Sequence, residues 1–234
     1  MNNLAGNSIL PDAWPTRKLG DVAEFKNGLN YLDGDRGYEI KIVGVQDFQD
    51  NFTISYESLS IVSLPARPKE TDLLRDGDLL IVRSNGNKKL IGRVLLIKNV
   101  HEPISHSGFT IRARVMMPEL LPEFVGLYLR SFSARRQIYV LGGGTNISNL
   151  NQEILGELDV PVPSIEEQRR IAVVLNACDR EIDLLRQQIA ALEKQKQGLM
   201  QKLLTGEIRW KGVGERDSEI ECDQSNYRGS LFEE

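Results

Sequence analysis

SIEEQRRIAVVLNACDREIDLLRQQIAALEKQKQGLMQKLLT, residues Ser164 to Thr205, contains no proline and a single glycine, Gly198. Pro161 and Pro163 precede it and favour an extended entry. Ser164 followed by Glu167 is a capping-box pattern, in which the hydroxyl accepts from the Glu167 N–H and the carboxylate reaches back. Apolar residues then recur at alternating steps of four and three. One set is Ile171, Cys178, Leu185, Leu192 and Leu199; the other is Leu175, Ile182, Ile189, Lys196 and Leu203. Only Lys196 breaks the pattern, and the register never slips. The spacing predicts a coiled-coil seam.

The alternative is an amphipathic helix packed on its own domain. Roughly 40 residues at ~1.5 Å rise span about 60 Å, longer than a domain of ~160 residues is wide. Much of the seam would then face water, each Leu or Ile forgoing about 1.5–3 kcal/mol of burial. A partner helix removes that penalty. The sequence offers one such helix, so the expected partner is a second copy or another protein. Lys196 either restricts register, as polar seam residues can, or packs its stem and extends its ammonium to water.

Residues 1–163 read differently. β-like runs at Val22–Phe25, Ile40–Val45, Leu79–Val82, Arg93–Ile97 and Phe109–Val115 alternate with the turn dipeptides Asn27-Gly28, Asp33-Gly34, Asp76-Gly77 and Asn85-Gly86. Pro122 to Ile138 reads as one helix with Phe124, Leu127, Tyr128, Phe132 and Ile138 on a partly apolar face. The expected fold class is α+β: a globular mixed sheet/helix domain over 1–163, a long helix over 164–211 and an acidic, flexible tail over 212–234.

Composition bounds the function. No run of 18 apolar residues exists, so no membrane-spanning helix is expected. The opening MNNLAGNSILPDAW lacks the basic start and apolar stretch of a secretory signal. Cys178 and Cys222 show no metal-ligand spacing, and a reduced, cytoplasmic protein is expected. The net charge of −4 is concentrated at the end: residues 214–234 hold seven acids and two bases, leaving 27 bases and 26 acids elsewhere. Bulk charge therefore gives no support for nucleic-acid binding.

No catalytic or metal constellation emerges. His101 and His106 have neither a neighbouring cysteine nor a metal-spaced acid pair, and Ser84, Ser105 and Ser107 lack a nucleophile-elbow context. No phosphate-cradling loop ends in Gly-Lys-Ser/Thr. The Asn/Asp-Pro-Pro-aromatic tetrapeptide of amino-methyltransferases does not occur either. What does emerge is polar loops. Arg83-Ser84-Asn85-Gly86-Asn87-Lys88-Lys89 follows an apolar strand; Arg can pair with guanine, Asn with adenine, and Lys can neutralise phosphate, although a solvated turn has the same composition. His106-Ser107-Gly108-Phe109-Thr110 and Gly144-Thr145-Asn146-Ile147-Ser148-Asn149 are similar. The DNA-contact candidates are Arg83, Ser84, Asn85, Asn87, Lys88, Lys89, His106, Thr110, Arg112, Thr145, Asn146 and Ser148, with Arg114, Arg135 and Arg136 as further phosphate contacts.

With these segments in view, the chain resembles the DNA-specificity subunits of type I restriction-modification systems. The resemblance lies in WPTRKLGDVAE at Trp14–Glu24, GDLLIVRSNG at Gly77–Gly86, VPVPSIEEQRRI at Val160–Ile171 and GLMQKLLTGEIR at Gly198–Arg209. It implies a non-catalytic subunit that binds double-stranded DNA, holds methyltransferase subunits and recruits a nuclease-translocase (restriction) subunit. S-adenosylmethionine, ATP and Mg²⁺ would belong to those partners. Typical members carry two target-recognition domains and two spacer helices, whereas this sequence carries one of each. The simplest repair is a homodimer with an intermolecular antiparallel coiled coil, which holds the globular heads apart and predicts a split palindromic target. The competing readings are a half-subunit paired with a different specificity polypeptide, a coiled-coil scaffold whose head binds protein, and an enzyme with an unfamiliar site.

Overall fold

The computed structural model describes residues 14–32, 34–48, 52–54, 56–142 and 149–209. The chain divides into two compact units, 1–178 and 179–234.

The first unit is built on a four-stranded antiparallel sheet. Its strands are β2 (Ala23–Asn27), β5 (Leu79–Val82), β6 (Val94–Leu96) and β8 (Thr110–Val115), in the order β2-β8-β5-β6. Side-chain alternation sorts each strand between two cores. Leu79 and Ile81 of β5, Val94 and Leu96 of β6, and Ile111 and Ala113 of β8 join the larger one. That core is closed by α1 (Leu19–Val22), α2 (Pro122–Arg130), α3 (Phe132–Leu141) and α4 (Gln152–Gly156). Leu80, Val82, Leu95 and Ile97 face a second core with Val43, Phe48, Leu74 and Ile104. Because both faces are covered, β5 reads as a continuous apolar run and all four of its residues are buried.

A three-stranded sheet of β3 (Tyr38–Val43), β4 (Ser60–Leu64) and β7 (Ile104–His106) stands beside it, β3 pairing antiparallel to β4 and parallel to β7. Gly28 has a role beyond turning. A Cβ there would stand 2.2 Å from the Ser107 carbonyl oxygen, so only glycine lets the two backbones pass. The ends of the globular sequence are joined by β1 (Thr16–Lys18) and β9 (Asp159–Pro161), paired antiparallel with Thr16 opposite Pro161.

Most strand expectations hold within a residue or two, and β5 matches at both ends. The expected strand at Ile40–Val45 stops at Val43. Asp47 Oδ2 accepts from the Gly44 N–H at 2.8 Å and turns the chain into one 3₁₀ turn, Val45–Asp47. The single helix expected over Pro122–Ile138 is two helices. Ser131 is extended, with ψ 160°, and its hydroxyl accepts from the Ala134 N–H to cap the second helix.

Helix α5 runs from Ile165 to Leu204 and starts as expected, with Ser164 Oγ accepting from the Glu167 N–H at 3.3 Å. Gly206 follows it in a left-handed conformation, φ 74°. The helix's first turns belong to the globular unit. Gln168 is fully buried: its Nε2 donates to the Glu119 and Pro163 carbonyls, and its Oε1 accepts from the Leu121 N–H, each at 2.8 Å. Ala172 is buried beside it, and Ile171 packs against the larger core. In the second unit, Asp179 and Asp183 are half-buried and every other helical residue is exposed, so Ile182, Leu185, Ile189, Leu192, Leu199 and Leu203 face solvent. Among the described residues no helix is long and apolar enough to cross a membrane. The expected tail at 212–234 lies outside the described residues.

Replacing Gln168 with Ala strands one N–H and two carbonyls. It is expected to cost about 2–3 kcal/mol, read as a lower urea midpoint at unchanged slope, whereas the exposed Glu166→Ala stays within about 0.5 kcal/mol.

Candidate nucleic-acid interface

The segment 83–92 leaves β5 and returns to β6. Strand pairing sets Val82 opposite Thr110, which brings the segment against the turn between β7 and β8. The Arg83 and Ser84 N–H groups both donate to the Phe109 carbonyl, at 2.9 and 3.4 Å. Arg83 Nε donates to Asn149 Oδ1 at 3.2 Å, and the Leu150 N–H donates to the Arg83 carbonyl. Gly86, Asn87, Lys88 and Lys89 are exposed, and nothing lies within 4 Å of a Cβ built on Gly86.

The loop shapes itself with its own amides. Asn85 Oδ1 accepts from the Asn87 N–H at 2.8 Å, and Asn87 Oδ1 accepts from the Lys89 N–H at 3.1 Å to cap the 3₁₀ turn Lys88–Leu90. Each carbonyl oxygen therefore has one lone pair engaged, and the amide nitrogens remain as donors without a partner among the described residues. The bidentate adenine contact expected of Asn85 and Asn87 would have to share those oxygens.

Three candidates are corrected by burial. His106 and Arg112 are each 1% exposed and Thr110 is fully buried, so none presents its side chain to a groove. β8 lies between β2 and β5, and β7, an edge strand, is nonetheless buried along its length, so their polar side chains find partners inside the protein. Thr110 Oγ1 donates to the Ser107 carbonyl at 2.8 Å and lies 2.8 Å from His106 Nδ1. Since the hydroxyl has one proton, His106 Nδ1 is the donor of that pair. Arg112 donates to the Thr71 carbonyl at 2.8 Å and pairs with Glu24 at 3.2 Å. Arg114, also expected at phosphate, forms a two-pronged bond to the buried Asp78 at 2.7 and 2.8 Å. That bond holds the Arg114 guanidinium above its ordinary range.

Arg135 and Arg136 are exposed on α3. Burial of part of the Arg135 guanidinium, then the charges of Arg93 and Arg130 nearby, lower its pKa and mark a cluster of three arginines. Thr145, Asn146 and Ser148 lie outside the described residues, although Asn149 and Leu150 return the chain to Arg83. Among the described residues no group of three or more His, Cys, Asp or Glu is placed to hold a metal ion.

Beside the loop lies a groove of about 540 Å³ whose lining includes Tyr31, Gln46, Asn85, Ser107 and Phe109. Tyr31 and Gln46 carry no local sequence signal. Gln46 arrives by way of the β3–β7 pairing, which sets Val43 opposite His106, and Tyr31 by way of the bridge between Leu29 and Ser107.

The type I restriction modification DNA specificity domain matches the chain over residues 11–194. The chain belongs to this family. Among relatives of this DNA specificity family, it is 29% identical to the chain named as the type I restriction enzyme MjaX specificity subunit of Methanocaldococcus jannaschii, covering 89% of this chain and 48% of that one. To the EcoKI specificity subunit of Escherichia coli it is 22% identical, over 96% and 48% of the two chains. The chain thus spans about half the length of the curated relatives it matches. The fold is shared with the crystal structure of the HsdS subunit from Thermoanaerobacter tengcongensis: 20% identity, TM-score 0.54, 86% of this chain and 46% of that one. A structure described in terms of complex assembly and conformational transition of the type I R-M system gives TM-score 0.58 at 18% identity, over 86% and 47%.

His106 yields a pH test of the buried layer beneath the candidate interface. Burial, then the Arg112 charge, push its pKa from 6.5 down to about 3. Between those values the unfolded chain binds a proton that the folded chain refuses. The stability owed to neutral His106 is therefore complete above pH 6.5 and is lost progressively as pH falls towards 3, at up to about 1.4 kcal/mol per unit. His106→Asn keeps a donor near the Nδ1 position without the titration. Its denaturation midpoint should fall less steeply than the parent's between pH 6.5 and 4.

Proposed function

We propose that this chain is a non-catalytic DNA-specificity subunit of a type I restriction-modification complex. Its globular unit binds double-stranded DNA through the face carrying the Arg83–Lys89 loop and the β7–β8 turn. Two copies pair through the seam of α5, antiparallel, so that the complex recognises a split palindromic target. Methyltransferase subunits and a nuclease-translocase subunit supply the chemistry, with S-adenosylmethionine, ATP and Mg²⁺ bound on those partners, in the cytoplasm.

The observation that carries the pairing is the exposed seam. Leu185, Ile189 and Leu192 are 52%, 56% and 61% exposed at heptad positions, and Cys178, Ile182, Leu199 and Leu203 continue the line in both directions. Each Leu or Ile gains about 1.5–3 kcal/mol on full burial, so a partner helix that covers the row is strongly favoured. Leu175 shares the line, while Ile171 already packs on the globular core, so the intermolecular seam starts after it. The family match and the exposed polar loop support the DNA reading.

Leu185→Lys with Ile189→Lys is expected to convert a dimer into monomers in sedimentation; a persistent dimer would rule out this seam. Selection from a randomised duplex library by the full chain with its methyltransferase subunit should return two half-sites of inverted sequence at fixed spacing. Two unrelated half-sites would indicate a different specificity polypeptide as partner. No sequence preference at all would favour a protein-binding scaffold, and methylation by this chain alone would overturn the non-catalytic role.

A further inference from the structure

The groove beside the reader loop brings together two groups that the fold itself does not use. Gln46 is exposed on the Val45–Asp47 turn, and its carboxamide lies over Gly44: a Cβ built there would stand 2.3 Å from Oε1 and 2.5 Å from Nε2. Among the described residues that carboxamide has no hydrogen-bond partner, in contrast to Asn85, whose Oδ1 is engaged by the Asn87 N–H. Phe109 is 62% exposed on the β7–β8 turn, with its backbone fastened to the reader loop through Arg83 and Ser84. A third group points to an occupant. Ser107 lines the same groove with its hydroxyl buried and without a partner among the described residues.

An amide with both its oxygen and its nitrogen available complements the N6–H₂ donor and N7 acceptor of adenine. An apolar ring complements the C5-methyl of thymine. Only an A·T pair offers that donor–acceptor edge and a methyl side by side in the major groove. We propose that Gln46 and Phe109 together read one A·T pair of the half-site, Gln46 taking the adenine edge and Phe109 the thymine methyl. The inference rests on the DNA-specificity reading above.

The test is the same duplex selection, with the full chain and its methyltransferase subunit, run in parallel for the parent, Gln46→Ala, Gln46→Glu and Phe109→Ala. All three substitutions are at exposed positions, and thermal melting confirms folding. The parent motif should contain one position per half-site where Gln46→Ala abolishes a preference for adenine and leaves the other positions unchanged. Gln46→Glu should move that position towards cytosine, whose N4 donor a carboxylate accepts. Placing 7-deazaadenine there should weaken the parent roughly 5- to 150-fold and Gln46→Ala little. Uracil in place of the paired thymine should weaken the parent and not Phe109→Ala. A parent motif that survives unchanged in Gln46→Ala and Phe109→Ala overturns this assignment and leaves the DNA-specificity reading standing. Uniform weakening at every position also overturns it. A parent that selects no motif overturns both.

Discussion

Pairing β8 beside β5 and β2 places two arginines, Arg112 and Arg114, on the inner side of a sheet covered on both faces. A guanidinium cannot shed its charge, so burial is tolerable only where carboxylates and carbonyls come to it. Asp78 answers Arg114 from the head of β5, while Glu24 and the Thr71 carbonyl answer Arg112 from β2 and the segment before β5. Lys26 with Asp72, 2.6 Å apart, extends the same layer. The second face of the sheet is thus apolar under β5 and β6 and ionic under β2 and β8. Desolvation offsets much of the attraction within such pairs, whereas removing one partner leaves an uncompensated buried charge.

That register builds the candidate interface. With Val82 opposite Thr110, the segment leaving β5 and the turn entering β8 emerge at one end of the sheet, and Phe109 is tied to Arg83 and Ser84 by backbone bonds. Neutral His106 and Thr110 lock the turn from beneath. Residues that resembled DNA contacts because they are polar, His106, Thr110 and Arg112, are the support on which the outward-facing residues stand. A rigid sheet end holds the donors and acceptors of its turns in a fixed pattern, which is what base discrimination requires of a reading surface.

Gln168 plays the matching part for the long helix. Polar and fully buried, it is satisfied at three backbone groups, joining the helix start to the segment before α2 and to the proline entry. The start of α5 is therefore part of the globular core. Past Cys178 the same helix has almost no burial of its own, and the heptad residues that would normally vanish into a core stay on its surface.

Local pattern made some features legible from the residues alone. The helix, its Ser164 cap and its seam repeat every few residues, so no distant contact is needed to read them. β5 is legible because a strand buried on both faces is apolar throughout. The proline entry and Glu-Gln-Arg start were recognisable as family features before Gln168 had a role. Long-range pairing decided the rest. β1 and β9 are three residues each and exist only because the two ends of the globular sequence meet. Ser131 divides one apolar-faced helix into two, through a cap that competes with helix continuation. Whether a polar side chain on β8 faces water or the interior depends on what covers the sheet, and no neighbouring residue encodes that. Gln46 and Tyr31 share a groove with Asn85 and Phe109 because four separate turns converge at one sheet end. The helix and the kind of protein could be read from sequence, since they rest on spacing along the chain; the composition of the candidate surface could not, since it rests on contacts between residues far apart in it.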